Sequence, residues 1–403
     1  MLKVTKISAI VLMFYILFYL QIWGDNHLIL YGSAILTAGS MIIYCLQEGY
    51  IDLSKVPFGV WNNLIIVAYS LITGIFVAYN YSTVVSSSIT LAAYSIVCVA
   101  MCYVSSEEGS FEWVLKILIV LSFVCSVYSL FRGAVWEGYG KTLSRSNNPH
   151  AFAAVMNLGI FSAAYIIKSK ERSRSIIYEA LIILFFYSII ASGSRKYLIA
   201  SVCLILIWII TIFRDRWASG DNKDRLILFF IFMLLLVAGI YIYRHIYVGS
   251  SMHQRMLNSD DMGNQNRIRN YRKALEIFIE NPVFGGGYDQ FQFYSGAGGY
   301  AHSTYAEAIA DFGLVGCIIY FTPIIVSTFR IINNAIGAQR DYHSWLVFAF
   351  CISELFIGIG QIFFMEFYHF PAWMILFYYS QKVKEQRLKA IQQVKPTSKY
   401  IRA

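Results

Sequence analysis

RHIYVGSSMHQRMLNSDDMGNQNRIRNYRKALEIFIENPVFGGGYDQFQFYSGAGGYAHSTYAEAIADFG, residues 244–313, is the one long polar stretch in a chain otherwise made of apolar runs. Segments long enough to cross a bilayer flank it on both sides. It carries Arg255, Arg267, Arg269, Arg272 and Lys273, then three successive glycines from Gly285 to Gly287, and then His302 where the next helix begins. A polar, cation-rich, glycine-punctuated segment between two spans reads as a functional loop of a membrane protein.

The rest of the composition agrees. Hydrophobic residues make up 58% of the 403, charged residues 14%, and mean hydropathy is +0.57. These values exclude an ordinary soluble domain. Since a bilayer core takes about 20 apolar residues per helix, the chain reads as one all-α polytopic domain over 1–403, with about twelve spans. They centre near 15, 37, 70, 93, 122, 159, 184, 204, 234, 323, 354 and 374. A net charge of +9 raises nucleic acid as a partner, but the placement of the cations argues for a membrane. Lys168, Lys170, Arg172 and Arg174 share one short loop, and Arg214, Arg216, Lys223 and Arg225 another. Lys382, Lys384, Arg387, Lys389, Lys395, Lys399 and Arg402 fill a basic tail at 381–403. Counting spans puts all three with the N-terminus, and Lys/Arg-rich short loops mark the cytoplasmic face. Both termini are therefore expected inside and the 244–301 loop, between spans nine and ten, outside. The first apolar run lacks a small-residue cleavage site and reads as span one.

All seven cysteines lie in apolar runs, without paired CxxC spacing, so neither disulfides nor cysteine-held metal is expected. No phosphate-binding loop, dinucleotide glycine pattern or HExxH zinc motif occurs in a credible context. No cofactor is expected.

Three regions carry candidate chemistry. The loop 132–149 places Lys141 and Arg145 outside, against the charge bias, as an aqueous loop or as the wall of an anion site. The tight turn SGSRK, Ser192 to Lys196, puts Arg195 at the outer interface, where it snorkels or serves a site. In the central loop, Asn266–Glu280 reads as an amphipathic helix, with Ile268, Tyr271, Leu275 and Phe278 on one face. Arg269, Arg272 and Lys273 lie largely on the other, and Arg267 at the edge of the stripe. Asn281-Pro282 ends this helix. Gly285 and Gly287 could offer backbone N–H groups to an anion, although flexible linkers look the same. Past His302, Glu307 and Asp311 are four apart and share a helix face. Pro323 is a candidate kink, and Pro371 suits the first turn of the last span. Glu179 and Glu354 are the plausible buried acids; no mid-span ion pair and no internal repeat is visible.

Permanent cations suit a phosphate or diphosphate, whose oxygens the arginine fork grips bidentately. A leaving diphosphate gathers negative charge, and one lost donor of this kind costs ~10²–10³-fold in rate. A histidine beside a carboxylate can accept a hydroxyl proton, worth about 10²–10⁴-fold.

NRIRNYRKALEIFIENPVFGGGYDQF followed by AHSTYAEAIADFGLVG resembles the signature region of the O-antigen polymerase and O-antigen ligase superfamily. Arg267 and Tyr271 match its Arg-aromatic pair, where Trp is commoner. Pro282, Gly285 and Gly287 match its Pro-x-x-G-x-G segment, His302 its histidine, Gly313 and Gly316 its Gly-x-x-Gly helix, and Arg195 its Ser-x-Arg turn. Ser303 departs from the usual Asn, and Arg269 leaves room for a two-residue shift. The resemblance implies a GT-C-like membrane glycosyltransferase, metal-independent, in the bacterial cytoplasmic membrane. Its donor and acceptor would be undecaprenyl-diphosphate-linked oligosaccharides, and a chain-length regulator and a flippase would be partners. Arg195 and Arg267 would hold the donor diphosphate, with Arg269, Arg272, Arg145, Gly285 and Gly287 lining the substrate. His302, backed by Glu307, would orient or deprotonate the acceptor hydroxyl. A repeat-unit polymerase, a ligase delivering glycan to lipid A core or protein, and a transporter of lipid-linked oligosaccharide remain the alternatives.

Overall fold

The computed structural model describes residues 1–20, 26–49, 52–107, 111–131, 149–167, 172–219, 244, 248, 261–296, 299–337 and 342–394. Among these it is helical without strand, as the apolar runs predict. Eight helices are long and apolar enough to cross a membrane. They are α1 (Leu2–Phe14, continued by a π-helical turn to Tyr19), α2 (His27–Gln47), α3 (Phe58–Val77), α4 (Tyr81–Glu107), α5 (Phe111–Phe131), α6 (Pro149–Ile167), α7 (Arg172–Ser192) and, after the central loop, the long helix over Thr304–Ile336. Three more helices extend the bundle: α8 (Arg195–Ser219), and two near the C-terminus over Tyr342–Ile357 and Phe370–Val394. The central loop contributes α9 (Asp261–Glu280) and α10 (Phe291–Ser295), so the last three are α11, α12 and α13. The eleven bundle helices coincide with eleven of the twelve expected spans. The expected span near 234, the loop carrying Arg145, and Arg255 lie outside the described residues.

Helix α6 is the hub, with 94% of its span buried. Around it stand α5, α7, α8 and α12. Ser122 donates to the Val155 carbonyl at 2.8 Å, Tyr342 to the Ala164 carbonyl at 3.0 Å, and Phe161 stacks on Phe350 with centroids 4.5 Å apart. Helix α11 is the second hub, against α3, α9, α12 and α13.

The bend in α11 is at Gly313, not at Pro323, which stands within regular helix. Gly313 has φ 60° and ψ −164°, and the loop 282–287 threads into the opening. The Gly286 amide donates to the Ala310 carbonyl at 2.7 Å and that of Gly287 to the Asp311 carbonyl at 3.0 Å. In return the Leu314 amide donates to Pro282 at 2.9 Å and the Val315 amide to Val283 at 3.1 Å. The Phe312 carbonyl accepts the Tyr69 hydroxyl at 2.7 Å.

Two sequence expectations are corrected here. Helix α9 begins five residues before its predicted start at Asn266 and ends at Glu280 as predicted, but Ile268 and Leu275 are exposed, at 51% and 49%. The buried face is Asn270, Ala274 and Ile277, packed with Phe291, Ala301 and Ala310. Small side chains face inward because α9 lies close on α11, and the bulky ones turn out. That outward stripe runs through Ile279, Val283 and Phe284 to exposed Leu314 and Ile318 on α11. It is the pattern of a surface set against lipid. Second, Glu179 is exposed, whereas buried Glu354 meets buried His369 at 2.8 Å, a hydrogen-bonded pair the sequence did not disclose.

A Cβ at Gly313 would fall 2.5 Å from the Gly285 nitrogen and 2.6 Å from the Val283 carbonyl oxygen, both backbone. Strain of this backbone kind and overpacking cost about 1–3 kcal/mol each. Gly313→Ala is expected to lower the thermal unfolding midpoint in detergent clearly, while Gly299→Ala, with no atom within 4 Å, leaves it unchanged.

Candidate functional site

Four separate segments meet at one end of the bundle. The first is the turn between α7 and α8. The Ser192 hydroxyl donates to the Ile189 carbonyl at 2.7 Å, Gly193 takes φ +73°, and the Ser194 hydroxyl meets His150 Nδ1 at 2.7 Å. This ties the turn to the start of α6 and places Arg195 and Lys196 in the first turn of α8. Cations at a helix N-terminus oppose the helix dipole, by about 0.3–1 kcal/mol each. Two of them there favour an anion above.

The second is α9. Arg267 and Tyr271, one turn apart, flank its buried face on the site side. The Tyr271 hydroxyl donates to the Ile359 carbonyl at 3.0 Å, and Arg267 lies within electrostatic reach of Lys196 and His302. Arg269 projects about 200° further round the helix than Arg267, and Arg272 about 140°; both are exposed. The structure does not bring them to Arg195 and His302.

The third is the start of α11. His302 has φ +60°, a left-handed backbone that favours glycine and clusters at functional sites. Its ring lies 4.3 Å from that of Tyr300. Burial first, then Arg267 and Lys196, hold its pKa below the ordinary histidine range, so it is a neutral imidazole at pH 7. Glu307 and Asp311 do share a face, and both are buried. Glu307 accepts the Ala301 amide, so it braces His302 through the main chain. Asp311 accepts the Asp289 amide at 2.9 Å, while the Asp289 carboxylate takes Ser87 at 2.6 Å. Between them the two acids hold both ends of the 289–301 loop. The glycine segment has a different task from the anion cradle expected of it. Gly285 donates to the Asn281 carbonyl at 2.9 Å and its two neighbours to α11, so the three amides are all engaged within the protein.

The fourth segment, 358–366 between α12 and α13, was not found from sequence. Thr304 pins it: its amide donates to the Gly358 carbonyl at 2.8 Å, its hydroxyl to the Gln361 carbonyl at 2.5 Å, and it receives the Phe363 amide at 3.0 Å. Tyr197 donates to Gln361 Oε1 at 3.3 Å, Tyr288 to the Phe364 carbonyl at 3.0 Å, and the Lys196 ammonium to the Gly360 carbonyl. Half-buried Glu366 is thereby set opposite Lys196. The site is thus Arg195, Lys196, Arg267, His302 and Glu366. Only the SGSRK turn gave a signal for Lys196, and Glu366 had none, since it sits in an apolar run beyond any motif. Among the described residues no three His, Cys, Asp or Glu side chains converge as a metal site requires.

Bundle and site together define a polytopic membrane protein with a cluster of cations at one end of its helices. Residues 180–321 match the family model described as O-antigen ligase. This stretch holds Arg195, Lys196, Arg267, His302 and the Gly285–Gly313 junction, and its match supports the resemblance to the O-antigen polymerase and ligase superfamily. No curated protein matches the chain.

Thr304→Val is expected to leave the buried Phe363 amide and Gln361 carbonyl without their shared partner, at about 1–3 kcal/mol. The thermal midpoint should fall for Val and stay near the wild-type value for Thr304→Ser.

Proposed function

We propose that the protein is a repeat-unit polymerase of a surface polysaccharide. It moves a growing glycan from undecaprenyl diphosphate onto a hydroxyl of the next lipid-linked repeat unit, at the extracytoplasmic face of the bacterial cytoplasmic membrane. Both termini are cytoplasmic in this reading, a flippase delivers the repeat units, and a chain-length regulator sets the product size. The observation that carries it is the meeting of Arg195, Lys196, Arg267 and His302 at one end of the bundle, within the stretch matched by the family.

Arg195 and Arg267 hold the donor diphosphate through paired N–H donors, with Lys196 as a third cation. As the glycosidic bond breaks, charge grows on the leaving diphosphate, and cations already in place stabilise it without rearrangement. They supply the charge that a divalent metal supplies in other transferases. His302, a neutral imidazole, has a nitrogen free of a proton to orient the acceptor hydroxyl. Arg145, Arg269 and Arg272 would meet the more distant parts of a long glycan.

The family model's description as a ligase favours a second reading with the same donor chemistry and a different acceptor, lipid A core or protein. The glycans on undecaprenyl diphosphate decide between them in cells lacking the gene. Single repeat units accumulating on the outer leaflet are expected for the polymerase. Long polymer stranded on the carrier would mean a ligase, and repeat units held on the cytoplasmic leaflet would mean a transporter. Arg267→Ala and His302→Ala, at wild-type membrane levels, should each reproduce the deletion, with a loss of about 10²-fold or more in rate. Full-length polymer from either variant would overturn its assignment.

A further inference from the structure

Glu366 lies beyond the matched stretch, yet it is held as firmly as any residue of the cluster. Its amide donates to the Ile362 carbonyl at 3.1 Å and its carbonyl accepts the His369 amide at 3.2 Å, closing a tight turn ahead of α13. Tyr368 and Lys196 both act on its carboxylate, and Lys196, tied to Gly360 in the same segment, faces it from α8. Tyr197, the next residue of α8, is the other titratable neighbour, its hydroxyl already committed to Gln361. Arg195 and Arg267 stand behind Lys196, and His302 shares that lysine's field.

Two groups in this cluster can accept a proton, and their surroundings rank them. A proton on His302 adds a further cation beside Arg267 and Lys196, in a site of low dielectric where that repulsion is weakly screened. A proton on Glu366 instead removes a charge. It also spares the leaving diphosphate a neighbouring carboxylate as its own negative charge grows. We propose that Glu366 is the general base of the transfer, while His302 orients the acceptor. The acceptor O–H bond gives its proton to the Glu366 carboxylate as the hydroxyl oxygen bonds to the donor's anomeric carbon. The bond from that carbon to the diphosphate oxygen breaks with its electron pair remaining on the diphosphate, and Glu366 later releases the proton to water. The assignment rests on the polymerase reading given above.

Burial pushes the Glu366 carboxyl up to about 7, against the opposing pull of Tyr368 and Lys196. A base must be deprotonated, so transfer should rise with pH through about 7 and level off above it. A base at His302, whose pKa is lowered, would put that limb below the ordinary histidine range instead.

The test uses the full-length protein in proteoliposomes with lipid-linked repeat units purified from cells lacking the gene. Initial rates of extension are measured across the neutral range for wild type, Glu366→Gln, Glu366→Asp and His302→Ala. Glu366→Gln is expected to lose about 10²–10⁴-fold and to flatten the limb near pH 7. Glu366→Asp should recover part of the rate with the limb displaced. His302→Ala should be slow and retain the limb. Active wild type with Glu366→Gln within a few-fold of it and an unchanged limb overturns this inference alone. So does a limb that vanishes with His302→Ala. Wild type that extends nothing overturns the polymerase reading and this assignment with it. Should Glu366→Gln fail to accumulate, the position of the Glu366→Asp limb decides the matter in the same way.

Discussion

Every backbone N–H and C=O in an apolar bundle must find a partner within the protein, because lipid offers none. The junction between α11 and the 282–287 loop meets this constraint in full. Breaking α11 at Gly313 frees the carbonyls of Ala310, Asp311 and Phe312 and the amides of Leu314 and Val315. The loop returns two amides and two carbonyls, and Tyr69 supplies the last donor. Backbone can come this close only where neither strand carries a Cβ, which is why Gly285 and Gly313 face each other. The glycine-rich motif is thus a structural joint. It fixes where α9 stands over α11, and through α9 the position of Arg267.

From that joint the site is built by successive supports. Asp311 and Glu307, buried on one face of α11, hold the Asp289 and Ala301 amides and so suspend the 289–301 loop above the helix. The loop delivers His302 in a left-handed conformation beside Tyr300. Thr304, two residues on, grips the 358–366 segment and brings Glu366 under the cations. Glu307 and Asp311, which stand out as acids in the sequence, are therefore braces, and an acid from an unremarkable apolar run is the one that faces the cluster's lysine.

The electrostatic arrangement is costly without a ligand. Arg195 and Arg267 both repel Lys196, two of the three stand at the unfavourable end of a helix, and burial together with Arg267 and Lys196 keeps His302 neutral. Such a cluster is stabilised when a multiply charged anion binds, and a diphosphate leaving group gains most at the moment its charge peaks. Binding and rate acceleration would then come from the same groups.

Apolar run length and the placement of Lys and Arg were enough to predict an all-helical polytopic bundle, since crossing a bilayer is a local demand on about 20 residues at a time. The Arg195 turn, the Arg267–Tyr271 pair and His302 were also legible, because permanent cations and an interfacial histidine are conspicuous in an apolar chain. Three things were not. The bulky stripe of α9 does not by itself tell which face packs inward, and close packing on α11 selected Asn270, Ala274 and Ile277. Gly285 and Gly287 read as an anion cradle, but their amides go to the carbonyls of Asn281 and, 24 residues on, Asp311. Glu366 gave no signal at all. Its position depends on Thr304, Tyr197 and Lys196, contacts formed by helices remote in sequence, and no local pattern encodes those. Sequence alone determined which segments enter the membrane and which carry the charge; the tertiary packing decided which charges meet, because it sets helix rotation and loop threading through contacts far apart along the chain.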